Sequence, residues 1–243
     1  RATDIPWLGS PPRRWNRRVA IAAAVVLVVA AIAGGAALWN RGSGLPPVPE
    51  ASDVWYRRGS DALREGGYHS ARKAFQQAIH IFPQHALAYA RLAEADAELD
   101  DPQAAQASLL RVSSIVPDES RLATPERLRL GAVRAAVLRD VDRSIALYRE
   151  LTTINDADAG SYVDLGRAQE AAGLRNDARA SYEEAIKRDK QYAAAYLRLG
   201  RVEALESRQK EALAAFAAAD RWYKTSSSTE GQAEVALARG NAF

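Results

Sequence analysis

The sequence predicts an all-α protein in which stacked helix pairs form a solenoid, preceded by one transmembrane helix. Three observations predict this fold: a pattern of small and large apolar residues recurs about every 34 residues, an uncharged apolar segment comes before it, and Gly and Pro gather between the two. One pair of helices cannot bury its own apolar face, so a recurring pair is expected to stack on its neighbours.

The first element in chain order is the uncharged segment at residues 19–39, which consists mainly of Ala, Val, Ile, Leu and Gly. At about 1.5 Å per residue, a helix of this length reaches roughly 32 Å and crosses the hydrocarbon core of a bilayer. Basic and aromatic residues flank it, as is typical of a membrane interface. The predicted interface residues are Arg13, Arg14, Trp15, Arg17, Arg18 and Trp39.

The flanking charges also predict an orientation, because Arg41 alone follows the span closely and the other basic residues precede it. Residues 1–18 are therefore expected to be a cytoplasmic juxtamembrane linker, and the repeats to lie in the periplasm of a bacterium, anchored in its inner membrane. The alternative is a cleavable signal peptide with an A-x-A-like site at residues 31–33. Small residues four apart in the span, such as Ala30 and Gly34, would allow helix pairing and a homodimer.

Residues 40–51 form a tether between the span and the repeats. Pro46, Pro47 and Pro49 lie close together in it, and such a composition keeps a chain semi-extended. The tether is expected to hold the solenoid away from the bilayer.

The repeat pattern combines an aromatic residue or Leu, a small residue four positions later, another small residue twelve beyond, and a large apolar residue four further on. In the first copy these are Trp55, Gly59, Ala71 and Phe75. The pattern returns after steps of 34, 39, 34 and 34 residues. The longer step contains five extra residues at 120–124, which predict a looser joint and two separately melting parts.

Turn residues lie between the two predicted helices of several copies, where one helix must stop and the next begin. They are Gly66, Gly67, Asp100, Asp101 and Gly173.

This pattern resembles the tetratricopeptide repeat (TPR), whose helix pairs stack into a right-handed superhelix. The resemblance assigns residues 52–243 to the solenoid. Full copies are placed at 52–85, 86–119, 125–158, 159–192 and 193–226, and a partial copy at 233–243.

In the TPR family the first helix of each repeat lines a concave groove, which implies a protein or peptide partner. Carried onto this chain, the implied groove residues are Tyr56, Ser60, Leu63, Arg64, Leu87, Glu94, Arg129, Val133, Val163, Arg167, Leu197 and Arg201. The apolar members suit a helix or an extended peptide, and Arg129, Arg167 and Arg201 suit a carboxylate.

The sequence predicts neither catalysis nor a cofactor. It contains no phosphate-binding loop, zinc-protease, hydrolase or kinase motif, and no cysteine. His69, His80 and His85 lack the usual spacing of metal ligands, so no metal site is predicted. The basic excess is confined to residues 1–50, while the repeats carry both signs interspersed, so no nucleic-acid partner is predicted.

The predicted function is therefore a membrane-anchored interaction scaffold. The order of basic segment, span, tether and repeats also resembles the C-terminal half of bacterial membrane-anchored serine/threonine kinases, helped by Pro125, Glu126, Arg127 and Leu128 in copy three. Membrane-bound winged-helix regulators have the same order of segments. Because the chain has no Met and its last copy stops before the partner helix, a longer protein is expected. Either resemblance would make this part a sensor or docking arm.

Overall fold

The structure, a computed structural model, describes residues 46–242, which fold into eleven α-helices and one short 3₁₀ helix at Glu119–Arg121. The helices are α1 (Glu50–Glu65), α2 (Tyr68–Ile81), α3 (Ala86–Glu98), α4 (Pro102–Ile115), α5 (Thr124–Val137), α6 (Val141–Ile154), α7 (Ala159–Ala171), α8 (Arg175–Arg188), α9 (Ala193–Leu205), α10 (Gln209–Thr225) and α11 (Thr229–Ala242).

The predicted transmembrane helix at 19–39, with its interface residues at both ends, lies outside the described residues. None of the helices within residues 46–242 combines the length and the apolar composition that crossing a membrane requires.

Helices α1 to α10 form five successive helix–turn–helix pairs, so the predicted all-α solenoid is confirmed. Asp101, Asp140 and Asp158 cap the first turns of α4, α6 and α7 by accepting a backbone N–H. Helix α11 begins at Thr229, four residues before the partial copy assigned from the sequence, because the Ser228 hydroxyl accepts the Gly231 N–H at 3.1 Å and caps the helix there.

The turn inside each pair contains one residue with a positive φ angle, and these residues recur with the repeat. They are Gly66 (95°), Asp100 (55°), Arg139 (61°), Gly173 (75°) and Ser207 (60°). A left-handed residue reverses the chain after the first helix and is easiest for Gly. Two of the five turns therefore place a residue other than Gly or Asp in a conformation that its Cβ disfavours.

In the first, fourth and fifth pairs a ring of the second helix packs on a glycine of the first. A Cβ on Gly59 would lie 2.7 Å from the Phe75 ring, and one on Gly200 would lie 2.6 Å from the Phe216 ring. Both rings are fully buried. The predicted large apolar positions thus fill space within their own pair as well as between pairs.

The joint between the second and third pairs is different. Elsewhere the second helix of a pair packs on the first helix of the next, whereas across this joint α5 packs on α3, the first helix of the preceding pair. Leu122, next to the inserted 3₁₀ helix, is buried, but a cleft of about 560 Å³ separates Leu109 on α4 from Val137 and Leu138. The extra residues at 120–124 allow α5 to swing toward the inside of the solenoid.

The solenoid also closes on itself, because α1 contacts α7 and α9. The Arg198 Nε donates to the backbone oxygen of Arg64 at 2.9 Å, across 134 positions of sequence. The first repeat therefore lies against the fourth and fifth, and the first helices of these repeats meet at the centre.

Candidate functional site

The inner face of the solenoid holds a cluster of five charged side chains, Arg64 of α1, Arg91 and Glu94 of α3, and Asp164 and Arg167 of α7. We call these five residues the inner cluster. Their side chains are between 0% and 12% exposed. Three different repeats contribute, so the cluster exists only because the superhelix brings α1, α3 and α7 together.

Asp164 lies at the centre of the inner cluster. Arg64 donates to both of its carboxylate oxygens, from Nη2 at 3.1 Å and from Nε at 3.3 Å, and Arg91 donates to Oδ2 through Nη2. Burial alone would raise the pKa of Asp164, but the guanidinium groups of Arg64 and Arg91 outweigh it and hold that pKa far below its ordinary value. Asp164 is thus a permanent anion that ties the first and second repeats to the fourth.

Glu94 joins the remaining members. It accepts from Arg91 Nη1 at 2.8 Å and from Arg167 Nη1 at 2.7 Å. Glu98, which is 40% exposed, makes a looser contact with Arg167 at 3.7 Å. Three buried guanidinium groups therefore face two buried carboxylates, and two more exposed carboxylates make longer contacts, Asp61 with Arg64 at 3.4 Å and Glu98 with Arg167 at 3.7 Å.

A cavity of about 270 Å³ opens beside Arg167, between α3 and α7 and above the start of α6. Its lining includes Glu98, Arg139, Tyr148 and Ser144. Tyr148 is 2% exposed, and its hydroxyl has no hydrogen-bond partner within residues 46–242. Burial raises the pKa of Tyr148, so the hydroxyl keeps its proton and is available to donate. Arg139 is exposed at the rim.

Four of the predicted groove residues are fully buried in the core instead of lining an open surface. They are Leu63, Val133, Val163 and Leu197. Each packs in an apolar cluster with residues of its own pair or of a neighbouring one. In this closed arrangement a partner could reach these side chains only if the repeats separated.

The polar members of the predicted groove mostly engage the protein itself. Arg64, Glu94 and Arg167 belong to the inner cluster, Arg201 pairs with Glu234 at 2.9 Å, and Arg129 lies 3.7 Å from Asp158. Each arginine that was predicted to hold a partner's carboxylate thus contacts an internal one.

The remaining predicted groove residues belong to the first two repeats. Ser60 donates to the Tyr56 carbonyl at 3.0 Å, and Leu87 packs beside the α3–α5 core. The Tyr56 ring lies 5.0 Å from that of His85. Whether any of the twelve residues binds a partner stays a prediction.

Arg91 and Asp164 were not among the predicted groove residues, although they are the most buried charges of the cluster. Both lie between apolar neighbours of a first helix, Ala90 with Leu92 and Val163 with Leu165. A charge inside an apolar stretch of a packed helix requires a partner, and that signal could have identified them.

Histidine chemistry contributes no metal centre within residues 46–242, where no group of potential ligands is placed to hold an ion. His85 instead links the first two helix pairs. Its Nδ1 lies 3.0 Å from the Ser52 hydroxyl, which donates to the Ala78 carbonyl at 2.8 Å. Burial lowers the pKa of His85 to about 4, so the ring is neutral near pH 7.

Known proteins support the repeat assignment. Profiles of the tetratricopeptide repeat match residues 62–124 and 163–228. No curated protein gave a significant match.

Several solved structures are similar in fold. A thermophilic TPR protein of Thermus thermophilus shares 18% identity over 77% of this chain and 98% of its own, with a TM-score of 0.48. The TPR2AB domain of yeast Sti1, solved as a complex with pHSP90, shares 16% sequence identity over 79% of this chain and 86% of its own, with a TM-score of 0.47. MamA of Desulfovibrio magneticus shares 17% sequence identity over 74% of this chain and 98% of its own, with a TM-score of 0.41.

The two profile matches together cover just over half of the residues, and helix pairs of the expected kind occupy both matched regions. The chain therefore belongs to the tetratricopeptide repeat family.

Proposed function

We propose that this TPR chain is a protein-interaction scaffold that binds an acidic peptide segment at the inner cluster. The observation that carries the proposal is the charge imbalance of the cluster, in which three buried guanidinium groups face two buried carboxylates. The adjacent cavity offers room for one more carboxylate. Buried cations bind carboxylates strongly because the low dielectric strengthens a charge-assisted hydrogen bond.

The geometry supports a partner carboxylate in the position now approached by Glu98. Glu98 is 3.7 Å from Arg167 and partly exposed, so it can move aside at small cost. An incoming carboxylate would then meet Arg167, the exposed Arg139 and the unpartnered Tyr148 hydroxyl. Arg129 and Arg201 lie on the neighbouring first helices α5 and α9, where a longer acidic segment would compete with Asp158 and Glu234 for them.

The test uses the full chain and a random-peptide library. We expect the selected peptides to be rich in Asp and Glu, and replacement of their acidic residues by Asn and Gln to weaken binding about tenfold or more, measured by fluorescence anisotropy. Tyr148→Phe and Arg139→Gln should each weaken binding several-fold.

Arg143→Gln is the matched control for these variants, because Arg143 is exposed on α6 and does not line the cavity. Tyr148→Phe removes only a hydroxyl that has no partner, so the fold is expected to survive it. Selected peptides without acidic residues, or variants that bind like wild type, would refute the acidic-segment proposal.

We also propose that residues 19–39 anchor the scaffold in a bacterial inner membrane, with residues 1–18 in the cytoplasm and the repeats in the periplasm. The support is the uncharged sequence of the segment and the basic residues that precede it. We expect the full chain to stay with the membrane fraction in alkaline carbonate, and Val26→Lys with Val29→Lys to release it.

The topology can be checked with single cysteines, because the chain has none of its own. An impermeant maleimide added to intact spheroplasts should label Ser207→Cys and leave Ser10→Cys unlabelled. The reverse pattern would overturn the orientation. The kinase-arm and regulator-arm alternatives stay predictions, and the coding sequence upstream of Arg1 would decide between them.

A further inference from the structure

A second cavity, of about 460 Å³, lies at the seam where the first repeat meets the fifth. We call it the seam cavity and define it by Asp61 and Glu65 of α1, Tyr192 just before α9, and Trp222 and Tyr223 near the end of α10. Its volume is within the range of about 300 to 1,000 Å³ that is usual for ligand pockets. No lysine or arginine is among the residues that line it.

The two carboxylates of the seam cavity lack a dedicated cation. Asp61, which is 56% exposed, lies 3.4 Å from Arg64, but Arg64 is already committed to Asp164. Glu65 forms no ion pair within the described part of the chain. Burial and the nearby carboxylates Asp61, Glu230 and Glu234 raise the pKa of Glu65 to about 8. Glu65 is therefore mostly protonated near pH 7 and becomes an anion as the pH rises, and no lysine or arginine of the described residues pairs with it.

The rest of the lining supplies hydroxyl groups and aromatic rings. Tyr223 is 2% exposed, and its hydroxyl lies beside the Glu65 carboxylate without making a hydrogen bond of ordinary geometry. The Tyr192 hydroxyl also has no hydrogen-bond partner among the described residues. When both carboxylates are ionised, they and the two hydroxyls can accept at least five N–H bonds. The Arg221 guanidinium lies over the Trp222 ring, 4.8 Å from its centroid, which leaves the other face of the ring for a second cation.

We propose that the seam cavity binds the guanidinium group of an arginine side chain carried by a partner peptide. A guanidinium offers five N–H donors in one plane, pairs with carboxylates and stacks on aromatic rings, which matches this lining better than the compact ammonium of lysine. The site lies apart from the inner cluster and takes the opposite charge, so it goes beyond the function proposed above. Together the two sites would select a partner with both an acidic and a basic residue.

The test titrates the full chain with the peptide acetyl-Gly-Arg-Gly-amide and with the same peptide carrying citrulline, which has the same shape without the charge. The indole N–H resonance of Trp222, assigned with Trp222→Phe, reports binding. We expect a saturable shift with the arginine peptide and at least tenfold weaker binding of the citrulline peptide. At pH 9, where Glu65 is mostly ionised, Glu65→Gln should weaken arginine binding at least tenfold, and Asp61→Asn should weaken it several-fold.

Glu183→Gln is the matched control, since Glu183 is exposed on α8 and outside the cavity. Gln has nearly the same size and shape as the protonated Glu65 that predominates below pH 8, so the variant is expected to fold. Asp61 is largely exposed, which makes Asp61→Asn a second check that does not depend on the core.

The pH dependence gives a further criterion. Glu65 faces Asp61 on its own helix, Tyr223 on α10, and Glu230 and Glu234 on α11. Arg198 and Arg201 of α9 lie beside Gly66 at the end of α1, where Arg198 donates to the Arg64 carbonyl and Arg201 pairs with Glu234. Below pH 8 Glu65 is mostly protonated, so arginine binding should strengthen as the pH rises from 6 to 9. Equal binding of the citrulline peptide, or an unchanged affinity of Glu65→Gln, would overturn the proposal. Either result leaves the acidic-peptide test at the inner cluster unaffected.

Discussion

At the scale of single residues, two glycines that look equivalent in the sequence have opposite environments. Gly200 and Gly240 both occupy the small position of a first helix. A Cβ on Gly200 would lie 2.6 Å from the Phe216 ring, whereas a Cβ on Gly240 would have no neighbour within 4 Å. Phe216 is fully buried and cannot move aside without disturbing the core.

We therefore expect the same substitution to have opposite effects at the two positions. Gly200→Ala should lower the free energy of unfolding by about 1 to 3 kcal/mol, as overpacking does. Gly240→Ala should raise it by roughly 0.5 to 1 kcal/mol, because Ala loses less chain entropy in a helix. Urea denaturation followed by circular dichroism measures both. A destabilised Gly240→Ala, or a neutral Gly200→Ala, would contradict the packing described here.

At the scale of elements, the turns show what the sequence could and could not predict. Gly66, Asp100 and Gly173 were expected in turns, because Gly and Asp are typical turn residues. Arg139 and Ser207 occupy the same left-handed position, with φ angles of 61° and 60°, but their residue types give no such signal. Only the steps of 34 and 39 residues that relate the five positions identify them.

Ser207→Gly should raise the free energy of unfolding by about 0.5 to 1 kcal/mol, because Gly relieves a left-handed strain of about 1 to 2 kcal/mol but loses more entropy on folding. Ser207 is exposed, so no core contact is lost. Ser207→Ala is the matched control. It keeps the Cβ and should bring no gain, and an equal gain from both variants would rule out relief of backbone strain.

The repeat pattern also predicted part of the candidate site. Repeat position predicted Arg64, Glu94 and Arg167 as groove residues of first helices, and all three belong to the inner cluster. It did not show that these residues would meet one another, because that depends on how tightly the superhelix curves. The curvature changes at the α3–α5 joint, where five inserted residues alter how the repeats stack.

At the scale of the whole molecule, the inner cluster bridges the inserted residues at 120–124. Arg64, Arg91 and Glu94 precede the insert, and Asp164 and Arg167 follow it. The sequence alone predicts two separately melting parts, because each repeat of a solenoid is expected to contact only the next one and the insert weakens one of these contacts. The structure adds direct coupling between distant repeats, so the expectation for the wild-type chain changes to one cooperative unfolding transition.

Asp164→Asn tests this coupling, since it removes the central charge while keeping the size of the side chain. It leaves Arg64 and Arg91 buried without their shared partner, which typically costs about 3 to 5 kcal/mol. We expect thermal unfolding by circular dichroism to separate into two transitions, and small-angle scattering to show a larger radius of gyration because α1 moves away from α7. Asp156→Asn, which alters an exposed pair with Arg188, is the control and should keep a single transition. Two transitions already present in the wild-type chain, or an Asp164→Asn variant as compact as wild type, would show that the ion pairs do not hold the solenoid closed.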